Sequence, residues 1–311
     1  MPKPVLVTTS TFGKEDSGPN DELARSGLAV SLNPHRRKLT EAEVLDLLAK
    51  HKPVGMIAGV EPLTARVLES CAKHLRVISR CGTGMESVDI EAAAGLGMLV
   101  FNTPAAPAQA VAELAVGLML AVLRRIPEAD RAVREDAWER KMGSLLGGKT
   151  VGIVGYGRIG RLVGGLVHAF GCTVLARDVM DFSDPKVRRV SLEELLETSD
   201  IVTLHVPLEA GTRHVLSAEK LKRMKQGAIL INASRGGLVD EKALLNALKK
   251  GRLAGAGLDT FKEEPYRGPL RDLPNVVLTA HMGAAAKECR VRMEREAAVN
   301  LIEGLRSAGE L

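Results

Sequence analysis

Val151-Gly152-Ile153-Val154-Gly155-Tyr156-Gly157-Arg158-Ile159-Gly160 is the stretch on which the fold turns. A strand from Thr150 to Val154 runs into a G-x-G-x-x-G turn, and a helix follows with Leu162, Val163, Leu166 and Val167 on its apolar face. Each glycine has a mechanical role. Gly155 makes the tight turn, Gly157 lets backbone approach a pyrophosphate, and Gly160 lets the helix lie close on its strand. Arg158 and Ile159 stand at the helix start, where free N–H groups and partial positive charge suit phosphates. A second strand, Thr173 to Ala176, comes next, and Asp178 lies at its end, 18 residues past Gly160.

That order of strand, turn, helix, strand and acid is a dinucleotide-binding βαβ unit. A carboxylate at Asp178 can accept from both ribose hydroxyls and repels a 2′-phosphate, which points to NAD rather than NADP. Arg177 beside it pulls the other way, since an arginine there can hold that phosphate.

Downstream, three segments each follow a strand-like run: Asn232-Ala233-Ser234-Arg235-Gly236-Gly237 after Ala228 to Ile231, Asp259 to Pro265 after Leu253 to Leu258, and Ala280-His281-Met282-Gly283-Ala284 after Val276 to Leu278. Parallel strands gather such segments at their C-terminal edge, so Arg235, Glu264 and His281 can converge. Their chemistry suits hydride transfer to a ketone, which builds negative charge on oxygen and needs a proton. His281 is the natural acid. Glu264 can hold the other ring nitrogen and favour the charged ring. Arg235 offers a fixed fork of donors for a substrate carboxylate and carbonyl.

Upstream of the quoted stretch, short strand-like and helix-like segments alternate. Val5 to Val7, Val54 to Ala58, Arg76 to Ser79 and Met98 to Phe101 read as strands. Thr40-Glu41-Ala42-Glu43 reads as a capping box, and Thr64 starts a helix with Val67, Leu68 and Cys71 inward. Asn102-Thr103-Pro104 and Pro107 break the pattern. A long helix is expected from about 108 to 125, a second helical piece from about 128 to 140, and a last helix from 284 to 305. Repeated βα units predict parallel sheets covered by helices on both faces.

Bulk properties fit. The 311 residues allow two domains, and with 3% aromatics the core must be aliphatic. The net charge of +5 favours an acidic partner, such as nucleic acid or a small anionic metabolite. The four cysteines are scattered, without metal or disulfide spacing, so no metal is expected and a reducing, cytoplasmic compartment fits. The N-terminus has no signal-peptide pattern, and the most apolar stretch, 110 to 123, is too short to span a bilayer, so no membrane partner is expected.

Taken together, the nucleotide turn, His205-Val206-Pro207-Leu208, the Arg235, Glu264 and His281 segments, and their order resemble the D-isomer-specific 2-hydroxyacid dehydrogenases over nearly the whole chain. The resemblance implies a fold of two doubly wound parallel-sheet domains: a Rossmann NAD domain, 102–283, inserted into a flavodoxin-like substrate domain, 1–101 with 284–311, the active site lying in the cleft between them. It carries the family's Arg, Glu and His over to Arg235, Glu264 and His281. It adds Thr83, His205, Val206, Pro207, Ala233, Ser234, Asp259, Gly283 and Ala284 as cofactor contacts. It makes Arg80-Cys81-Gly82-Thr83-Gly84 the loop whose backbone N–H groups hold the substrate carboxylate, and the helix after Pro107 a dimerisation arm. A homodimer or tetramer follows from the same resemblance. The Phe12 region, the Arg80 loop and residues 288–292 look most like phosphoglycerate dehydrogenases of serine synthesis, and the positive charge suits a phosphorylated substrate. Val206 and Pro107 depart from residues common in the family. Glyoxylate and hydroxypyruvate reductases share the catalytic set and remain an alternative. A non-enzymatic NAD-sensing, corepressor-like protein is a third, disfavoured because all three catalytic residues are present and no basic patch interleaves with aromatics for nucleic acid.

Overall fold

In the computed structural model, which describes residues 2–311, the chain divides into two units: residues up to Pro107 with Ala284–Leu311, and Ala108–Gly283. The first unit begins β1 (Lys3–Val7), α1 (Gly18–Arg25), β2 (Leu28–Leu32), α2 (Glu41–His51) and β3 (Gly55–Ala58). It continues through α3 (Ala65–Cys71), β4 (Val77–Arg80), α4 (Ile90–Gly95) and β5 (Leu99–Asn102). The strands are all parallel in the order β2-β1-β3-β4-β5, a flavodoxin-like sheet. The capping box is present: the Thr40 hydroxyl takes the Glu43 N–H at 3.4 Å, and the Glu43 carboxylate takes the Thr40 N–H at 2.8 Å. Such a cap contributes about 1 kcal/mol and fixes where α2 starts. Val67, Leu68 and Cys71 point into the core, as their spacing predicts.

The second unit opens with α5 (Ala108–Leu123) and α6 (Ile126–Arg134). Then come β6 (Thr150–Val154), α7 (Arg158–Ala169), β7 (Thr173–Arg177), β8 (Val187–Arg189), α8 (Leu192–Thr198) and β9 (Ile201–Leu204). It ends with α9 (Ala218–Arg223), β10 (Ala228–Asn232), α10 (Glu241–Lys249), β11 (Leu253–Leu258) and β12 (Val276–Leu278). The seven strands are parallel in the order β12-β11-β10-β9-β6-β7-β8, a Rossmann sheet with one strand added. Leu195, Leu221, Leu244 and Leu248 fill one face, and Val111, Ala115, Met119, Val163 and Val167 the other. The core is aliphatic, as the composition requires. The closing helix, α11 (Lys287–Ser307), returns to the first unit and packs on β3, β4 and β5.

Three details differ from expectation. α6 stops at Arg134 rather than running to 140, and none of its residues is buried. Without a packing face it ends where Asp136 turns left-handed, φ 60°, and Ala137 N–H reaches back to Ala132 O at 2.8 Å. Residues 102–107 go with the first unit: Asn102 ends β5, and Thr103 and Gly82 exchange two hydrogen bonds, N–H to Gly82 O at 3.1 Å and Gly82 N–H to Thr103 Oγ1 at 2.7 Å.

The third concerns charge. Lys149, Lys225 and Arg252 stand just before β6, β10 and β11, while Lys222 and Arg223 end α9 and Lys249 and Lys250 end α10. These positions lie toward the N-terminal strand edge of the second sheet, where Asp200 pairs with Lys225 at 2.7 Å. Part of the chain's positive charge therefore lies at the edge opposite the glycine turn.

Among the described residues no helix is long and apolar enough to cross a membrane, and no cluster of His, Cys, Asp or Glu could hold a metal. All four cysteines are free and buried.

Candidate active site

The glycine turn joins β6 to α7. Gly155 has φ 96°, and a Cβ there would lie 2.6 Å from the His205 carbonyl oxygen, so only glycine fits. A Cβ on Gly160 would overlap the Gly155 carbonyl, which is the close helix-on-strand packing expected. Gly157 caps α7 with no side-chain cap bond, and a Cβ built on it meets nothing within 4 Å. This twelve-residue helix therefore presents an uncapped N-terminus beside open space, which fits a dinucleotide pyrophosphate.

Asp178 lies at the end of β7 as expected, and it is also a brace. Its Oδ2 accepts the Tyr156 N–H at 2.6 Å and its Oδ1 the Met180 N–H at 2.9 Å. The acid is thus held against the glycine turn with lone pairs to spare. Tyr156 adds its own tie, donating to Asp184 at 2.8 Å under Phe182 and Arg161.

The His205–Pro207 loop continues the same surface. His205 N–H bonds Val154 O at 2.8 Å, and its Nε2 lies 2.9 Å from the Thr203 hydroxyl. Burial pushes the His205 ring down to about 4, so it is neutral at physiological pH. Val206 O accepts the Ser234 hydroxyl at 2.7 Å. The glycine turn, the His205 loop and the Ser234-Arg235 segment are therefore one connected run of contacts.

Asn232, buried at the end of β10, shapes that segment. Its amide donates to Arg235 O at 2.9 Å and accepts the Ser234 N–H at 3.1 Å. Ala233 is buried; Arg235 is half-buried, with Nη1 on Ser234 O at 2.8 Å. A Cβ on Gly236 would overlap the Phe261 carbonyl carbon, so the Arg235 segment and the Phe261 loop meet backbone to backbone. Glu264 on that loop is pinned by Phe261 N–H to Oε1 at 3.0 Å, and its Oε2 lies 2.8 Å from His281 Nδ1. A carboxylate only accepts, so Nδ1 carries the proton, and Nε2 has no protein partner among the described residues.

His281 itself is in the left-handed region, φ 50°, which costs a non-glycine residue about 1 kcal/mol or more. Asp259 holds it there. The Asp259 carbonyl takes the His281 N–H at 2.9 Å, Oδ1 takes the Thr279 hydroxyl at 2.6 Å and the Met282 N–H at 2.8 Å, and Oδ2 takes the Gly283 N–H at 2.8 Å. Asp259 is 0% exposed. The carboxylate expected among the cofactor contacts anchors this turn through three donors, with acceptor capacity left on Oδ2. Asn232, Gly236 and Thr279 shape the site without having been assigned a role from sequence; Asn232, a polar residue at a strand end, and Gly236, in a Gly-Gly pair, carry turn signals.

In the first unit, the Arg80–Gly84 loop follows β4. Cys81 N–H bonds Ala58 O at 2.9 Å and Gly82 N–H bonds Thr103 Oγ1 at 2.7 Å, so these two amides are not the carboxylate donors expected of them. Gly82, φ 138°, instead leaves the slot that the Arg80 guanidinium occupies, and burial pushes the Cys81 thiol up to about 12. The amides of Thr83 and Gly84 have no protein acceptor among the described residues. Ala284 begins the return to the first unit.

Residues 116–283 match the model of the D-isomer-specific 2-hydroxyacid dehydrogenase NAD-binding domain. The chain is 37% identical over 295 residues to the hydroxypyruvate reductase of Thermotoga maritima, covering 91% of this chain and 95% of that one. It is 41% identical over 263 residues to the D-3-phosphoglycerate dehydrogenase of Methanocaldococcus jannaschii, covering 81% of this chain but 49% of that protein. Among solved structures, the TT0316 protein of Thermus thermophilus superposes with a TM-score of 0.89 at 40% identity, covering 98% of this chain and 97% of that one. A nucleotide turn and a histidine–carboxylate pair on one Rossmann edge, with likeness along nearly the whole length, make this chain a member of the D-isomer-specific 2-hydroxyacid dehydrogenases, a family of NAD-dependent oxidoreductases.

Proposed function

We propose that the protein interconverts a small 2-keto acid and its D-2-hydroxy acid, with His281 moving the proton. The observation that carries this reading is the 2.8 Å contact of His281 Nδ1 with Glu264 Oε2, which leaves Nε2 as the working nitrogen. Bound NAD(H) supplies or takes the hydride. In reduction the doubly protonated ring gives its Nε2 proton to the carbonyl oxygen and is left neutral with its proton on Nδ1; in oxidation that neutral ring takes the hydroxyl proton on Nε2. Glu264 fixes the tautomer and ring orientation. Arg235 supplies paired donors for the carboxylate and carbonyl of the substrate. The spare lone pairs of Asp178 take the ribose hydroxyls. His205, neutral, is not a second acid.

For substrate, an unphosphorylated acid such as hydroxypyruvate or glyoxylate comes first. The 37% identity to a hydroxypyruvate reductase over 91% of this chain supports it. The second reading is 3-phosphohydroxypyruvate, on the strength of the 41% identity to a D-3-phosphoglycerate dehydrogenase. Initial rates of NADH oxidation with hydroxypyruvate, glyoxylate, pyruvate and 3-phosphohydroxypyruvate test both readings, and NADPH in the same panel tests Asp178. The expected profile is NADH with an unphosphorylated acid. Tight NADH binding with no turnover of any acid would sink the enzymatic reading.

A second copy of this chain is the proposed partner of the segment after α6, where Trp138 is 83% exposed, Met142 88% and Leu145 74%. Sedimentation velocity should give a dimer, and Trp138→Asp with Met142→Asp should give a monomer. A monomeric wild type would rule the interface out.

A further inference from the structure

Asp178 opens an irregular segment, residues 178–184, between β7 and β8, and Tyr156 in the glycine turn grips that segment at both ends. The Tyr156 N–H donates to Asp178 Oδ2 at 2.6 Å, and the Tyr156 phenol donates to Asp184 Oδ2 at 2.8 Å. Between the two grips Val179 and Met180 are 85% and 72% exposed, while Tyr156 itself is 2% exposed. The end of β7 is fixed by backbone, Gly155 N–H on Arg177 O at 2.8 Å; beyond it the segment is tied to the turn through Tyr156. The Tyr156 ring lies 4.6 Å from the Phe182 ring, tilted by 41°, and Arg161 of α7 stands 5.1 Å from its centroid. α7 makes room for the phenol at Gly164, where a Cβ would come 3.0 Å from the hydroxyl oxygen. Phenylalanine would fill the same space, so packing does not explain the hydroxyl. A buried phenol needs a partner, and the one it has belongs to the segment that carries Asp178.

We propose that Tyr156 is a positioning residue for coenzyme binding: its bond to Asp184 closes residues 178–184 onto the glycine turn and so holds the Asp178 carboxylate ready for the adenosine ribose of NAD and against the 2′-phosphate of NADP. This role rests on the reading of Asp178 as the ribose acceptor and adds what keeps that acid in place. A carboxylate on a loose segment has to be ordered as the coenzyme binds, and that cost weakens binding. Repulsion of a 2′-phosphate, by contrast, falls as the carboxylate swings away from it. Loosening the segment therefore weakens NADH without weakening NADPH in step. A general loss of packing would weaken both alike.

The experiment measures Kd for NADH and NADPH by fluorescence titration, and kcat and KM for NADH at saturating keto acid, in wild type, Tyr156→Phe, Asp184→Ala, the double variant and Asp178→Ala. Tyr156→Phe is expected to raise Kd and KM for NADH by ~10-fold, to leave kcat within about twofold of wild type, and to lower the preference for NADH over NADPH by ~10-fold. Asp184→Ala should match it. The double variant should be no worse than either single one, because the same bond is removed from its two sides. An unchanged NADH Kd in Tyr156→Phe overturns the proposal, and so does an equal weakening of NADH and NADPH or a double variant whose losses add. Should Tyr156→Phe fail to fold, Asp184→Ala reads the same ratio with the same consequences. Unchanged NADH affinity and preference in Asp178→Ala defeats the ribose reading itself, a distinct result.

Discussion

Replacing His281 by glutamine should lower kcat/KM by ~10²–10⁴-fold while NADH still binds with wild-type affinity. The reason is local. His281 is half exposed at a strand end, and no core residue depends on its ring. What its ring offers is a proton on Nε2, aimed by the 2.8 Å bond from Nδ1 to Glu264. Glutamine can occupy the space and satisfy Glu264, but it cannot give or take a proton. The NADH-binding surface runs through the glycine turn and Asp178, on other strands. Loss of turnover should therefore separate from loss of binding. NADH fluorescence titration alongside steady-state kinetics checks both. Retention of more than about a tenth of wild-type turnover would show that the acid is another group.

The parts of this molecule visible in the sequence are those whose reason lies within a few residues. The glycine turn is one, because Gly155 and Gly160 answer to backbone atoms of the same βα unit. The Thr40–Glu43 capping box and the Thr64 cap are others, each closing within one helical turn. The pairing of Glu264 with His281 was legible at one remove, since parallel strands bring successive strand ends together. What stayed hidden needed contacts across the fold. α1 and β2 escaped because α1 buries only Pro19 and Leu23, and β2, at the sheet edge, buries only Leu28. Neither segment shows a period. The second role of Asp178, bracing Tyr156 N–H, depends on how close β7 comes to the turn after β6. Cys81 and Gly82 looked like open donors, but Ala58 on one side and Thr103 on the other use those amides.

Asp259→Ala should cost both stability and chemistry, in proportions that identify what the residue does. Three donors converge on its carboxylate, from Thr279, Met282 and Gly283, and the residue is wholly buried. Removing the acceptor strands them, at about 1–3 kcal/mol each less whatever water recovers. For a unit of this size a loss of ~3 kcal/mol lowers Tm by roughly 6–12 °C. Asp259→Asn should be milder, since one oxygen still accepts and only the NH₂ replacing the other faces a donor. The chemical effect is separate. His281 stays at φ 50° only while the bonds on either side hold the turn. If the turn relaxes, Nε2 moves off line, and a misplacement of about 1 Å is worth ~10²-fold in rate. At a temperature where the variant is fully folded, kcat should therefore fall by ~10²-fold with NADH affinity intact. Thermal melting and low-temperature kinetics on the same sample decide it. A variant that melts early but turns over normally when folded would make Asp259 a purely structural residue and leave the strained histidine turn to be held by Glu264 alone.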